Sequence, residues 1–179
     1  MPLQDAGAIG ARSNERGCMG LFALGRVAAG TIVVPDWHGR FYRHTPGWRR
    51  FTLWEIEALP AEKRELVIRY GLEVDFGLIA GPVNAAAVTT IDNFINHSCE
   101  PNMGYDHEGN VVTARDVEAG EELTIDYGCF AVNFDEEWEC GCGSARCRKR
   151  IRRDDWVKLA AERRFAMPRF LHSRIAELW

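Results

Sequence analysis

The stretch Ile91-Asp92-Asn93-Phe94-Ile95-Asn96-His97-Ser98-Cys99-Glu100-Pro101-Asn102 sets Asn, His, Ser and Cys side by side and then stops the chain with proline. Regular helices and strands rarely take such a run. Asn, Ser and Asp side chains compete with the backbone for its hydrogen bonds, and Pro101 pushes Glu100 out of helical geometry. Such a segment is held by what it binds. Two downstream stretches are built to meet it: Glu122-Leu123-Thr124-Ile125-Asp126-Tyr127-Gly128 and Cys140-Gly141-Cys142-Gly143-Ser144-Ala145-Arg146-Cys147.

The cysteines carry chemistry of their own. Of six in the chain (Cys18, Cys99, Cys129, Cys140, Cys142, Cys147), three fall within eight residues. That clustering favours a metal over disulfides in an intracellular chain of this size. Structural zinc needs four soft ligands in a tetrahedron. The tail supplies three, so another part of the chain must supply the fourth; Cys99, Cys129 and Cys18 are the candidates.

The three stretches, in their order, resemble the SET-domain family of protein lysine methyltransferases. The likeness rests on Asn-His-Ser-Cys-x-Pro-Asn from Asn96, Gly-Glu-Glu-Leu-Thr-x-Asp-Tyr ending at Tyr127, and Cys-x-Cys-x4-Cys from Cys140, and it spans residues 16–148. It implies a mainly β (α+β) fold of small curved sheets with a knot-like crossing of the C-terminal segment. Residues 14–130 would be the SET domain, with a variable insert at 41–88; residues 136–150 a post-SET zinc tail; residues 154–179 a helical extension. The implied activity is methyl transfer from S-adenosylmethionine to a lysine ε-amine of a basic protein or peptide. Cofactor and peptide would lie on opposite faces, joined by a lysine channel.

Residue by residue, the resemblance makes Tyr127 the catalytic tyrosine and a cofactor contact. Asn96 and His97 would hold S-adenosylmethionine, with Arg16, Met19, Gly20 and Trp138 as further contacts. Tyr105, Ile125, Phe130 and Phe134 would wall the channel. Cys99 would complete one structural zinc with Cys140, Cys142 and Cys147. One departure stands out: where the family carries Gly-x-Gly, Cys18 occupies the first glycine position ahead of Gly20, and Gly17 lies one residue too early.

The rest of the chain bounds these expectations. A length of 179 residues is most simply one domain with a real core. No apolar run approaches membrane-spanning length, and no charged start leads into an apolar stretch, so an intracellular place is expected, cytoplasmic or with nucleoid or chromatin. Export without a signal peptide stays open. Net charge is −4, unevenly spread: residues 146–179 hold 11 Lys/Arg against 4 Asp/Glu, which leaves −11 on the remainder. An acidic body, with Asp135-Glu136-Glu137 in it, suits a basic partner. It also argues against nucleic acid as the main partner, whether through the basic run at 146–153 or through the aromatic and basic stretch 37–50, whose rings are expected to pack on the body.

Local patterns place the elements. Residues 1–13 read as a poorly ordered lead-in. Thr31 to Val34 reads as a strand, Thr52 and Glu55 as a capping box, and Pro60 to Gly71 as a second helix. Val74–Ala80 and Val88–Ile91 read as short strands. Residues 103–105 and 111–114 read as a hairpin around a polar turn. A helix is capped near Asp154 or Asp155, and another opens at Pro168 with Leu171, Ile175 and Leu178 on one face. A catalytically silent interaction module on the same fold is the alternative to the enzyme, and a zinc-dependent nucleic-acid binder is a third reading.

Overall fold

The structure, a computed structural model, describes residues 8–39, 41–134, 137–162 and 166–179. Among these residues, twelve short strands and four α-helices follow in chain order. They are β1 (Ile9–Ser13), β2 (Met19–Ala23), β3 (Ile32–Val34), β4 (Trp48–Thr52), α1 (Leu53–Glu57), α2 (Ala61–Tyr70), β5 (Leu72–Asp75), β6 (Leu78–Pro82), β7 (Asn96–His97), β8 (Met103–Tyr105), β9 (Val111–Thr113), β10 (Glu122–Ile125), β11 (Trp138–Glu139), β12 (Arg150–Ile151), α3 (Asp155–Glu162) and α4 (His172–Leu178). The strands form four small sheets, ordered β1-β2-β10-β7, β3-β9-β8, β4-β6-β5 and β11-β12. The mainly β class read from the sequence is the one observed.

The first sheet positions everything else. β2 and β10 pair antiparallel through Leu21 and Leu123, both fully buried. Burying side chains of this size stabilises by about 1.5–3 kcal/mol each. β10 then pairs parallel with the two-residue β7, matching Thr124 to Asn96 and Ile125 to His97. Parallel neighbours need a separate connection, so the polar motif and the tyrosine strand meet only because the chain returns between them through the β8–β9 hairpin. Asn102 pins that return: its side chain donates to the Glu122 carbonyl (2.9 Å) and accepts from the Thr124 amide (2.9 Å).

Several expectations need correction. Ile9–Ser13 is a strand paired along its whole length with β2, and residues 1–7 lie outside the described residues. An edge strand draws its hydrogen bonds from a distant partner, which local composition does not reveal. Val74–Ala80 is two strands of a hairpin turning at Phe76 and Gly77, where Gly77 takes φ 73°. Val88–Ile91 is no strand; Ile91–Phe94 forms a 3-10 turn that buries Asp92. At the C-terminus Pro168 opens a 3-10 turn (Arg169–Leu171) before α4.

The capping box is present, with Thr52 and Glu55 exchanging their side-chain and backbone bonds at the start of α1. Within 37–50, the rings of Trp37 and Tyr42 are buried in the core. The basic run is largely committed within the chain. Arg146 pairs with Glu100, Arg148 with Asp126 and Asp155, and both Arg150 and Arg152 with Glu137. Asp135 and Glu136 lie outside the described residues. No helix among the described residues is long and apolar enough to cross a membrane.

Candidate active site and metal cluster

Two cavities meet at the end of β10. One, of about 410 Å³, lies between the loop after β1, the Asn96–Ser98 segment and the cysteine tail. The other, about 110 Å³, lies between α2, β5, the 3-10 turn before β7 and the segment after Tyr127. Tyr127 and Trp138 line both. One phenol and one indole therefore stand where the two spaces adjoin.

Tyr127 is held tightly there. Its hydroxyl donates to the Ile95 carbonyl (2.7 Å), and its amide donates to His97 Nδ1 (3.0 Å). Burial, with a smaller contribution from Glu122, pushes the phenol up to about 12. It stays protonated at neutral pH, spends its proton on a carbonyl, and offers oxygen lone pairs to an incoming donor.

The larger cavity is framed by main chain. The Arg16 and Cys18 amides donate to Asn14 Oδ1 (3.1 and 3.0 Å), and Gly17 turns at φ 75°. Asn96 Nδ2 donates to the Met19 carbonyl (2.9 Å) and to Glu122 Oε1 (2.7 Å), which also takes Asn14 Nδ2 (3.3 Å). Gly20 runs so close to Glu122 that a Cβ would meet its Oε1 at 2.2 Å. Asn14 and Glu122 are structuring residues that sequence reading missed. Asn14, three residues before a glycine, is a turn-forming side chain of the kind that could have flagged the loop.

The expected residues divide cleanly. Arg16, Asn96, His97, Tyr127 and Trp138 border the larger cavity, as does Cys18. Met19 and Gly20, on β2, do not line it. Phe130 and Phe134 line the smaller cavity with Tyr127. Tyr105 and Ile125 do not. Tyr105, the last residue of β8, is buried with its hydroxyl 2.6 Å from His38 Nε2, and Ile125 faces the core.

The cysteine tail folds over Cys99. Cys140 Sγ stands 3.8 Å from Cys99 Sγ and 3.7 Å from Cys147 Sγ. A tetrahedron with Zn–S bonds of about 2.3 Å has S···S edges of about 3.8 Å. Cys142 Sγ lies within 4.8 Å of Cys99 and Cys140, and so does a ring nitrogen of His97. His97 also bonds the main chain and Cys99. Burial lowers its pKa to about 4, so the ring is neutral. The Tyr127 amide occupies Nδ1, so Nε2 carries the hydrogen and aims it at Cys99 Sγ, 3.3 Å away. His97, Cys99, Cys140 and Cys142 are thus the mutually close donors, and Cys147 reaches the group through Cys140. Cys129, buried in the core, and Cys18, exposed on the loop, stand outside that group, as does Cys147 at its edge.

Comparison with known proteins places this arrangement. Histone-lysine N-methyltransferase trithorax of Drosophila virilis is 32% identical over 138 residues, 73% of this chain and 3% of that protein. Histone-lysine N-methyltransferase ATX2 of Arabidopsis thaliana is 40% identical over 73 residues, 37% of this chain and 7% of that protein. This chain therefore spans only a small part of the curated relatives it matches. Among solved structures, Arabidopsis thaliana SUVH6 in complex with SAM superposes with a TM-score of 0.53 at 17% identity, covering 80% of this chain and 33% of that one. KRYPTONITE in complex with mCHH DNA, H3(1-15) peptide and SAH gives 0.51 at 19% identity, covering 80% and 29%. These two likenesses speak for the fold. The SET domain profile matches residues 18–128, more than half of the chain, from the cavity loop through the β7–β10 seam to the turn holding Tyr127, and the chain belongs to the SET-domain family.

Proposed function

We propose that this protein transfers a methyl group from S-adenosylmethionine to the ε-amine of a lysine in a basic protein substrate. The observation that carries this reading is the sharing of Tyr127 and Trp138 between a large polar cavity and a narrow aromatic one. The larger takes the cofactor, which supplies an electrophilic methyl carbon on a sulfonium. The narrower takes the lysine. In-line displacement needs little covalent help; it needs the amine neutral, aligned and shielded from water. Phe130, Phe134 and Trp138 exclude water from the reacting nitrogen. Tyr127, its proton engaged by Ile95, accepts an N–H from the amine and fixes the direction of its lone pair.

Cys99, Cys140, Cys142 and Cys147 hold one zinc in this reading. Such an ion would join the tail to the Asn96–Cys99 segment, along one wall of the larger cavity. Histone tails are the first substrates to test. Curated relatives are named histone-lysine N-methyltransferases, and KRYPTONITE was solved with an H3 peptide. The acidic body suits such a partner, and an intracellular place fits that reading. The SET domain (14–130, with its insert at 41–88), the zinc tail (136–150) and the helical extension (154–179) act as one catalytic unit.

The test is calorimetric titration of zinc-replete protein with S-adenosylmethionine, wild type beside Asn96→Ala. Methyl incorporation into a histone mixture follows, with Tyr127→Phe as control. Binding that Asn96→Ala weakens at least tenfold, and incorporation that Tyr127→Phe abolishes while binding persists, support the reading. Wild-type protein that neither binds the cofactor nor labels any substrate overturns it in favour of an interaction module.

A further inference from the structure

The narrow cavity is not wholly apolar. Asp92 and Glu73, 6% and 4% exposed, both line it. Asp92 Oδ2 accepts the Trp37 indole N–H (3.1 Å), whereas Oδ1 is buried with no hydrogen-bond partner. Glu73 Oε2 takes the amides of Val132 and Asn133 (2.7 and 2.8 Å), with the Asn133 side chain also beside the carboxylate. No ion pair among the described residues joins either carboxylate to a cation. Arg69, at the rim, lies 5.5 Å from the Tyr70 ring centroid instead. An unpartnered buried carboxylate oxygen is costly unless a cation or donor fills the site.

The space is about 110 Å³, narrow beside the 410 Å³ of the neighbouring cavity. A purely apolar tube would admit only the neutral amine, about one lysine in a thousand near pH 7.4 for a pKa of about 10.4. Two carboxylates remove that restriction.

We propose that Asp92 and Glu73 make this groove a cation-receiving site, which draws the substrate lysine in as its ammonium and accepts one of its protons. The inference rests on the groove being the lysine channel. In the transfer one N–H bond of the ammonium breaks and one carboxyl O–H bond forms. The electron pair left on nitrogen forms the new bond to the methyl carbon as that carbon's bond to the sulfonium sulfur breaks and sulfur keeps the pair; the carboxyl returns its proton to water when product leaves. Burial raises both carboxyls, Glu73 to about 7, which makes them stronger bases than free carboxylates. The other titratable groups facing the pair are Arg69 and Tyr70 at the end of α2 and Tyr127 after β10; His38 meets Glu73 only at its backbone carbonyl.

The probe is n-butylammonium, with 1-butanol as its uncharged counterpart, followed by ligand-observed NMR on the zinc-replete full chain at pH 8. Wild type should bind the ammonium at least tenfold more tightly than the alcohol. Asp92→Asn and Glu73→Gln should each cut that preference at least fivefold while S-adenosylmethionine affinity stays within twofold. Equal binding of the two probes by wild type overturns the proposal, and so does a preference untouched by both substitutions. The wild-type ratio decides even if a variant misfolds. It is also read separately from cofactor binding and methyl incorporation, so loss of the methyltransferase reading would show up apart from loss of the cation site.

Discussion

Arg148→Gln is expected to destabilise the protein by about 3 kcal/mol, although arginine in a basic surface run would ordinarily be dispensable. Arg148 Nη1 and Nη2 clamp the two Asp126 oxygens at 2.7 and 2.6 Å, and Nε reaches Asp155 at 3.2 Å. Asp126 is 3% exposed, and its remaining hydrogen bond comes from the Gly128 amide (2.9 Å). Burial works against the Arg148 charge, but Asp126 outweighs it and keeps the guanidinium more firmly protonated than a free arginine. Removing one partner of a buried pair costs about 3–5 kcal/mol, because the other charge stays buried; a glutamine amide restores one donor and puts the loss at the lower end. The same arginine donates its backbone amide to Cys99 Sγ (3.4 Å), so it couples the tail, the metal cluster and the Tyr127 turn. The assay is urea unfolding at a fixed excess of zinc, with Asp126→Asn and the double variant completing a cycle. The double variant should be at least about 2 kcal/mol more stable than additivity gives. A loss below about 1 kcal/mol, the range of exposed pairs, or strict additivity would refute the reasoning.

Cys140→Ser and Cys147→Ser should each abolish retention of one zinc equivalent, measured by elemental analysis after dialysis, while Cys129→Ser keeps it; retention by Cys147→Ser would return His97 to the ligand set. Gly20→Ala should weaken S-adenosylmethionine binding at least tenfold, because the new Cβ strikes a Glu122 oxygen that Asn14 and Asn96 hold in place; unchanged affinity in calorimetry would contradict that geometry. Glu73 binds its proton more tightly folded (about 7) than unfolded (4.5), so its contribution is fully present below pH 4.5 and is lost as pH rises through 7. That loss amounts to about 3 kcal/mol. Glu73→Gln should flatten this fall in a urea-unfolding series from pH 5 to 8, and an unchanged slope would show that the carboxyl is not the titrating group.

The fold class and the three stretches that build the site were legible because each is a local signal. Asn96 to Asn102 is unfit for regular structure, Thr52 and Glu55 cap a helix within one turn, and three cysteines crowd eight residues. Chemistry confined to one short segment is visible without knowing what lies opposite it. The strand at Ile9–Ser13, the hairpin hidden in Val74–Ala80 and the 3-10 turn at Ile91–Phe94 were not legible. Their hydrogen bonds and burial come from partners far along the chain.

The same division runs through the site. The sequence alone determined that a polar motif, a tyrosine strand and a cysteine tail would come together in a mainly β domain. Only the tertiary structure decided which side chains face a cavity. Phe130 and Phe134 do, whereas Tyr105 and Ile125 turn into the core; His97 spends its ring on Tyr127 and Cys99; and Asp92, unremarked in its motif, is left with a buried oxygen and no donor. The physical reason is that residue type sets which bonds a group can make. Which of those bonds remain open is set by the neighbours that the β2–β10–β7 seam brings within reach.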